Sequence, residues 1–319
     1  KTLGGLGLLM YGFSLPETVT PIQAINALEE AVPGSTVGIN HAYRLQDSGA
    51  DSDPLNYANR LMHWDASACT AAGPVGMIDT GIDVTAPALA DTQIVSDRFA
   101  LGPAAPNRHG TDVATVIADP SRLSNVTIYS ADVVSVVEGV GTAARADALV
   151  EALDWFASNK VHLVNVSLAG PYNKLLDVAV RAADAHGVVL VASVGNAGPD
   201  STLLYPAGFD SSIAVTAVDA DERIYSKAVR GEQVDIAAPG VDVFVPSEDG
   251  GHLVSGTSMA APFVTARVLA DPEWFQAGDA SAVRMRLSSS SRDLGEQGED
   301  AMYGFGLLQG LQSCPEAMN

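Results

Sequence analysis

Apolar positions along this chain follow two different rhythms. From residue 74 onward, short runs of consecutive apolar residues alternate with longer segments whose apolar residues recur every three or four positions. The runs are Val75-Gly76-Met77-Ile78, Val126-Thr127-Ile128-Tyr129, 161–166, 188–192 and 213–218. Each reads as a strand buried on both faces. Residues 144–158 and 175–185 between them read as amphipathic helices. Strand–helix–strand alternation with wholly apolar strands predicts a three-layer α/β fold, with a mostly parallel central sheet covered by helices. Ligand sites in such folds lie outside the carboxyl ends of the strands. The places to look are therefore just after residues 78, 166 and 192.

The first 46 residues read as a separate small α+β unit. Residues 8–13 form a strand candidate, and Thr20-Pro21 then opens a helix, since Thr caps well and Pro suits the first helical position. Ile22, Ile25, Leu28 and Ala31 follow at helical spacing, and Pro33-Gly34 ends the run. Residues 37–39 begin a second strand leading into 41–45. Residues 47–60 read as a linker, strongly polar from Asp47 to Asn56 and open to proteolysis. Residues 61–319 carry the large α/β domain.

Composition narrows the class. The 319 residues are 47% hydrophobic and 17% charged, enough to bury a large core and too apolar for a disordered chain. Seventeen Lys and Arg stand against 38 Asp and Glu, for a net charge of -21. Such a chain repels nucleic acid and anionic membranes, so neither is expected as a partner. Acidic clusters at Asp47, Asp51 and Asp53 and at Asp219, Asp221 and Glu222 leave a structural calcium ion open, although neither has the spacing of an EF-hand loop. No run reaches the ~20 apolar residues of a membrane span. The chain begins with Lys, so its natural start, with any export signal, is expected to lie upstream.

Three segments carry candidate chemistry. Ile78-Asp79-Thr80-Gly81 places a carboxylate at a strand tip, where it can orient a histidine, although strand-end aspartates are more often helix caps. Of the six histidines, His109 alone stands at the mouth of a predicted helix, followed by Gly110, which permits close backbone approach. His41, His63, His162, His186 and His252 read as core or surface residues. Ser255-Gly256-Thr257-Ser258-Met259-Ala260-Ala261-Pro262 surrounds a serine with small residues as it opens a helix, whose amides favour negative charge nearby.

In that chain order these segments resemble the subtilisin-like serine proteases, the subtilases. The resemblance runs from about residue 60 to the closing Tyr303-Gly304-Phe305-Gly306-Leu307-Leu308. It implies a secreted (or periplasmic) serine endopeptidase, made as a zymogen, with Asp79, His109 and Ser258 as its triad. Ala192-Ser193-Val194-Gly195-Asn196 resembles the segment whose Asn, here Asn196, donates to the oxyanion. Ser167, Leu168, Ala169 and Gly170 resemble the stretch that pairs with an extended substrate, and Val194 and Gly195 would form the other wall of the specificity pocket. Protein or peptide substrates are implied, and no metal or other cofactor is needed for the chemistry. Residues 33–45 resemble the end of the family's propeptide, which would make the N-terminal unit a folding aid and inhibitor of its own enzyme.

Two positions depart from the family pattern. Asp112 and Phe263 stand where histidines are common. Asp112 is expected in the first turn of its helix, near enough to His109 to favour the charged imidazole and move the pH optimum upward. Cys69 and Cys314 lack metal-ligand spacing and are either two free thiols or a disulfide. Export, as the resemblance implies, favours the disulfide, worth on the order of 4–5 kcal/mol on the chain-entropy model. Competing readings are a silent binding protein on the same fold, a complex held inhibited by its own propeptide, and an esterase. An intact triad argues against the first, and a peptide-pairing segment against the last.

Overall fold

The computed structural model describes residues 2–3, 8–9, 15–16, 19–33, 35, 57–139 and 141–315. The chain divides into two compact units, Lys1–Ser52 and Asp53–Asn319. The first contains the antiparallel strands β1 (Thr2–Leu3) and β2 (Leu8–Leu9) and the helix α1 (Pro21–Ala31). Helix α1 begins where Thr20-Pro21 predicts. Thr20 Oγ1 accepts from Gln23 N–H and Gln23 Oε1 accepts from Thr20 N–H, a reciprocal cap that satisfies two exposed amides. The expected strand at 37–39 and the acidic cluster at 47–53 lie outside the described residues.

The second unit opens with α2 (Tyr57–Leu61), β3 (Cys69–Thr70), β4 (Val75–Asp79) and β5 (Gln93–Arg98). Next come α3 (Arg108–Ile117), β6 (Leu123–Ser124), β7 (Thr127–Asp132), β8 (Val134–Val137) and β9 (Gly141–Ala144). Two helix–strand pairs follow, α4 (Ala146–Ser158) with β10 (Leu163–Val166) and α5 (Lys174–Ala185) with β11 (Val189–Ser193). The unit ends with β12 (Ser212–Val218), β13 (Ile236–Pro239), the hairpin β14 (Val243–Val245) and β15 (His252–Val254), and α6 (Thr257–Leu269), α7 (Pro272–Phe275) and α8 (Ala280–Ser290).

Seven strands form one sheet in the order β13-β12-β11-β10-β4-β7-β5, every pair parallel. Helices α3, α6 and α8 bury one core against it, and α4 and α5 bury a second core on the opposite face, giving three layers. The chain leaves β4 toward β5 and β7 on one side and returns through β10 on the other. The β4–β10 boundary is therefore the switch point, where crossovers diverge and leave a crevice.

Within this sheet, the strands absent from the sequence reading are its two edges. Gln93–Arg98 carries two apolar residues among four polar ones, because an edge strand needs no double-sided burial. Ile236–Pro239 is short, rich in alanine and covered on its free side by the C-terminal segment: Ala237 N–H donates to Gly306 O (2.9 Å) and Leu308 N–H to Ala237 O (2.8 Å). Residue 144, read as the start of a helix, ends β9 instead.

Candidate active site

Asp79 is the last residue of β4 and is fully buried. Its Oδ1 lies 2.7 Å from His109 Nδ1 and accepts a 2.7 Å hydrogen bond from Thr80 N–H. Its Oδ2 has no hydrogen-bond partner among the described residues. The meeting depends on Gly110. A Cβ there would stand 2.5 Å from Thr80 O and 2.7 Å from Gly81 O, so only glycine lets α3 settle onto the tip of β4. Gly110 N–H then donates to Thr80 Oγ1 (2.9 Å), fastening the two motifs together. Burial disfavours the His109 imidazolium. The hydrogen bond and charge of Asp79, with the charge of Asp112, outweigh it and hold the pKa above the ordinary imidazole value.

Asp112 sits one turn further on than expected, because α3 begins at Arg108 and its first turn contains no acid. Its Oδ2 lies 3.0 Å from His252 Nε2 on β15 and 3.9 Å from Arg108. His252, read as a bystander in the sequence, is thus a neighbour of the helix that carries His109.

Ser258 is the second residue of α6, a helix otherwise buried from Thr257 to Leu269. Pro262 lies inside that helix and has no N–H to offer the carbonyl four residues back, which is Ser258 O. Ser167 Oγ fills the place, donating to Ser258 O at 2.9 Å. Asn165 Nδ2 donates to Ser167 Oγ (3.0 Å), and Thr265 Oγ1 donates to Asn165 Oδ1 (2.9 Å). A buried polar chain therefore joins the end of β10 to α6 directly beneath Ser258. Ser258 Oγ donates to Ser167 O (3.2 Å), and among the described residues no hydrogen bond joins it to His109. Such contacts commonly tighten only when substrate binds.

Asn196 follows β11. Its Oδ1 accepts from both Thr257 N–H and Thr257 Oγ1, each at 3.0 Å, which leaves Nδ2 free to donate. Nδ2 rests over Gly256, where a Cβ would approach to 3.1 Å. Gly195 N–H donates to Thr257 Oγ1 (3.1 Å), so the 195–196 segment is bound to the start of α6 as the 165–167 segment is bound to its underside. The sequence-predicted residues Asp79, His109, Ser167, Gly195, Asn196 and Ser258 are all tied by hydrogen bonds to the carboxyl ends of β4, β10 and β11 or to the helices entering there. The Val194 side chain is buried in the core and is not exposed at the site. A cavity of about 610 Å³ opens beside Asp79 and His109, with Leu149, Leu168, Ala169, Leu176 and Tyr205 along its walls.

Asn165, Thr265 and the hydroxyl role of Ser167 escaped the sequence reading. Pro262 was the available signal, since a proline inside a predicted helix obliges another donor to reach the freed carbonyl. Asn165 is fully buried with both ends of its amide bonded. The Asp219–Glu222 cluster is engaged by arginine: Asp221 pairs with Arg223 (2.9 Å) and Glu222 with Arg292 (2.6 Å). Among the described residues no group of three or more His, Cys, Asp or Glu could hold a metal ion. Cys69 and Cys314 form a disulfide across 245 residues.

Comparison with known proteins shows the family to which this fold belongs. Residues 73–306 match the model of the subtilase family. The chain is 36% identical over 251 residues to subtilisin DY of Bacillus licheniformis, covering 73% of this chain and 88% of that protein. It is 32% identical over 256 residues to subtilisin E of Bacillus subtilis, covering 73% of this chain and 63% of that protein. The minor extracellular protease Epr of Bacillus subtilis is 29% identical over 208 residues, and the match spans 32% of its length. Among solved structures, a cold-adapted subtilisin-like serine proteinase superposes with a TM-score of 0.63 at 26% identity, over 78% of this chain and 90% of that one. The protease domain of PatA shares the fold, with a TM-score of 0.65 at 22% identity, over 76% and 94%. The chain belongs to the subtilase family and is a serine endopeptidase.

Proposed function

We propose that this endopeptidase works through an acyl-enzyme formed on Ser258. The observation that carries the proposal is the 2.7 Å contact between buried Asp79 and His109 Nδ1 at the switch point of the sheet, with Ser258 bonded to Ser167 at the end of the adjoining strand β10. With Nδ1 engaged, Nε2 is the nitrogen left to take the Ser258 proton as Oγ attacks the peptide carbonyl. The Ser258 N–H and Asn196 Nδ2 donate to the oxyanion. The tetrahedral intermediate collapses, the C–N bond breaks, and His109 returns the proton to the leaving amine. Water, deprotonated by His109, then cleaves the ester and restores Ser258. Every step uses groups of this chain and water.

The peptide before the scissile bond lies extended along Ser167, Leu168, Ala169 and Gly170. The N-terminal unit acts as a propeptide-like inhibitor released by cleavage between residues 45 and 56, and the enzyme works outside the cytoplasm. The disulfide and the similarity to the minor extracellular protease Epr support export. Among the described residues no helix is long and apolar enough to cross a membrane.

The test is casein hydrolysis by the chain beside its Ser258→Ala variant, with both N-terminal masses followed over time. Proteolysis and trimming within 45–56 in the wild type, both absent in the variant, are expected. Hydrolysis that survives Ser258→Ala overturns the mechanism.

A further inference from the structure

The segments that flank Ser258 are held so closely that the space between them is filled. Ser167 Oγ binds Ser258 O, and Gly195 N–H binds Thr257 Oγ1, so the extensions of β10 and β11 are both bonded to the start of α6. On the proposed reading, the side chain preceding the scissile bond enters between those extensions. A Cβ placed on Gly195 would lie 2.6 Å from Leu204 Cδ1 and 3.0 Å from Ala169 Cβ. The face of Gly195 is therefore already covered by the Leu204 isobutyl group and the Ala169 methyl.

The backbone that carries each cover is held in place. Gly170 and Tyr205 exchange backbone hydrogen bonds at 2.9 and 2.8 Å, which pins the residue after Ala169 to the residue after Leu204. Leu204 O accepts from Gly208 N–H (2.9 Å), and the Leu204 side chain packs against the second core. Gly195 O accepts from Val229 N–H at 3.1 Å, so the opposite wall is also anchored. The cavity of about 610 Å³ touches residues 167–170 and Tyr205, and neither Gly195 nor Leu204 lines it.

We propose that Leu204, with Ala169, closes the pocket for the residue immediately before the scissile bond, so that this protease cuts after small residues such as alanine, glycine and serine. The inference deepens the acyl-enzyme reading and rests on it. It makes Leu204 a specificity-determining residue: an aromatic or long basic side chain at that substrate position would have to displace the Leu204 isobutyl group or the Ala169 methyl.

Peptide p-nitroanilides differing only in the residue before the cleaved bond (Ala, Leu, Phe, Lys) test it through kcat/KM. Excess methylenes against a fixed wall cost about tenfold or more in discrimination, so the wild type is expected to favour Ala over Phe and Lys by at least that factor. Leu204→Gly is expected to shift the Phe-to-Ala ratio at least about tenfold toward Phe. Ala169→Gly, which removes the smaller cover, is expected to shift it in the same direction and serves where Leu204→Gly melts early. A wild type that cuts after Phe or Lys as readily as after Ala overturns the proposal, as does an unchanged ratio in two folded variants. Ser258→Ala in the same assay separates the two readings. Hydrolysis persisting there overturns the triad, whereas a flat preference in Ser258-dependent activity overturns the role of Leu204 alone.

Discussion

Gly110 illustrates how one missing methyl group assembles a site. Its backbone approaches Thr80 O and Gly81 O so closely that Gly110→Ala must push α3 away from β4. The expected cost is about 1–3 kcal/mol in thermal or denaturant unfolding, as for other overpacked sites. The shift would also separate His109 from Asp79, and misplacement by about 1 Å is expected to lower kcat on the order of 10²-fold. At His109 itself the raised pKa has a definite sign. The imidazole must be neutral to take a proton, so kcat/KM falls on the acid side at a pH above the ordinary imidazole value. Asp112→Asn removes one of the charges that favour the imidazolium, and the acid limb is expected to move to lower pH in a kcat/KM profile. The same raised pKa stabilises the fold below the pKa of an unfolded histidine, and that contribution is lost as pH rises through the folded value. Asp79, His109 and Ser258 were legible as residues because small neighbours and strand-end positions mark them. The partnership of Asp112 with His252 was not, since 140 residues separate them and no periodicity links a helix to a distant hairpin.

Helix α6, which carries Ser258, depends on a hydroxyl from a different element. Pro262 frees the Ser258 carbonyl, and Ser167 at the end of β10 supplies the donor, itself oriented by Asn165 and Thr265. Ser167→Ala leaves a buried carbonyl and a buried amide donor without partners. It is expected to cost about 1–3 kcal/mol in urea unfolding, with a further loss of kcat from a less well fixed Ser258. Helices and central strands could be read from periodicity because burial on both faces imposes an unbroken apolar run. The edge strands could not. Gln93–Arg98 is largely exposed, and Ile236–Pro239 takes its burial from the chain's C-terminal segment.

For the second unit as a whole, the disulfide joins β3 to the segment after the last helix, closing a loop of 245 residues. On the chain-entropy model its removal costs about 5 kcal/mol, because the unfolded chain regains the freedom the bridge denied it. The Cys69→Ser, Cys314→Ser double variant is expected to unfold at a markedly lower urea midpoint than the oxidised protein, and reduction of the wild type should reproduce the fall. The switch point between β4 and β10 explains why the candidate active site stands where it does. Chain order there sends successive crossovers apart, and the crevice receives Asp79 from one side and Ser167 from the other.

The sequence by itself determined the α/β architecture, the strand ends that bear the chemistry and the candidate triad. These follow from local rules: apolar period, glycine at close approaches and small residues around a reactive serine. Tertiary structure alone decided which groups meet. It brought Ser167 to the carbonyl that Pro262 leaves free, set His252 against Asp112, and laid Leu204 over Gly195. Those contacts join residues tens to more than a hundred positions apart, or, as with Leu204 and Gly195, a turn whose path only packing fixes. No local pattern encodes such a meeting, because its energy arises only once the sheet has placed both partners.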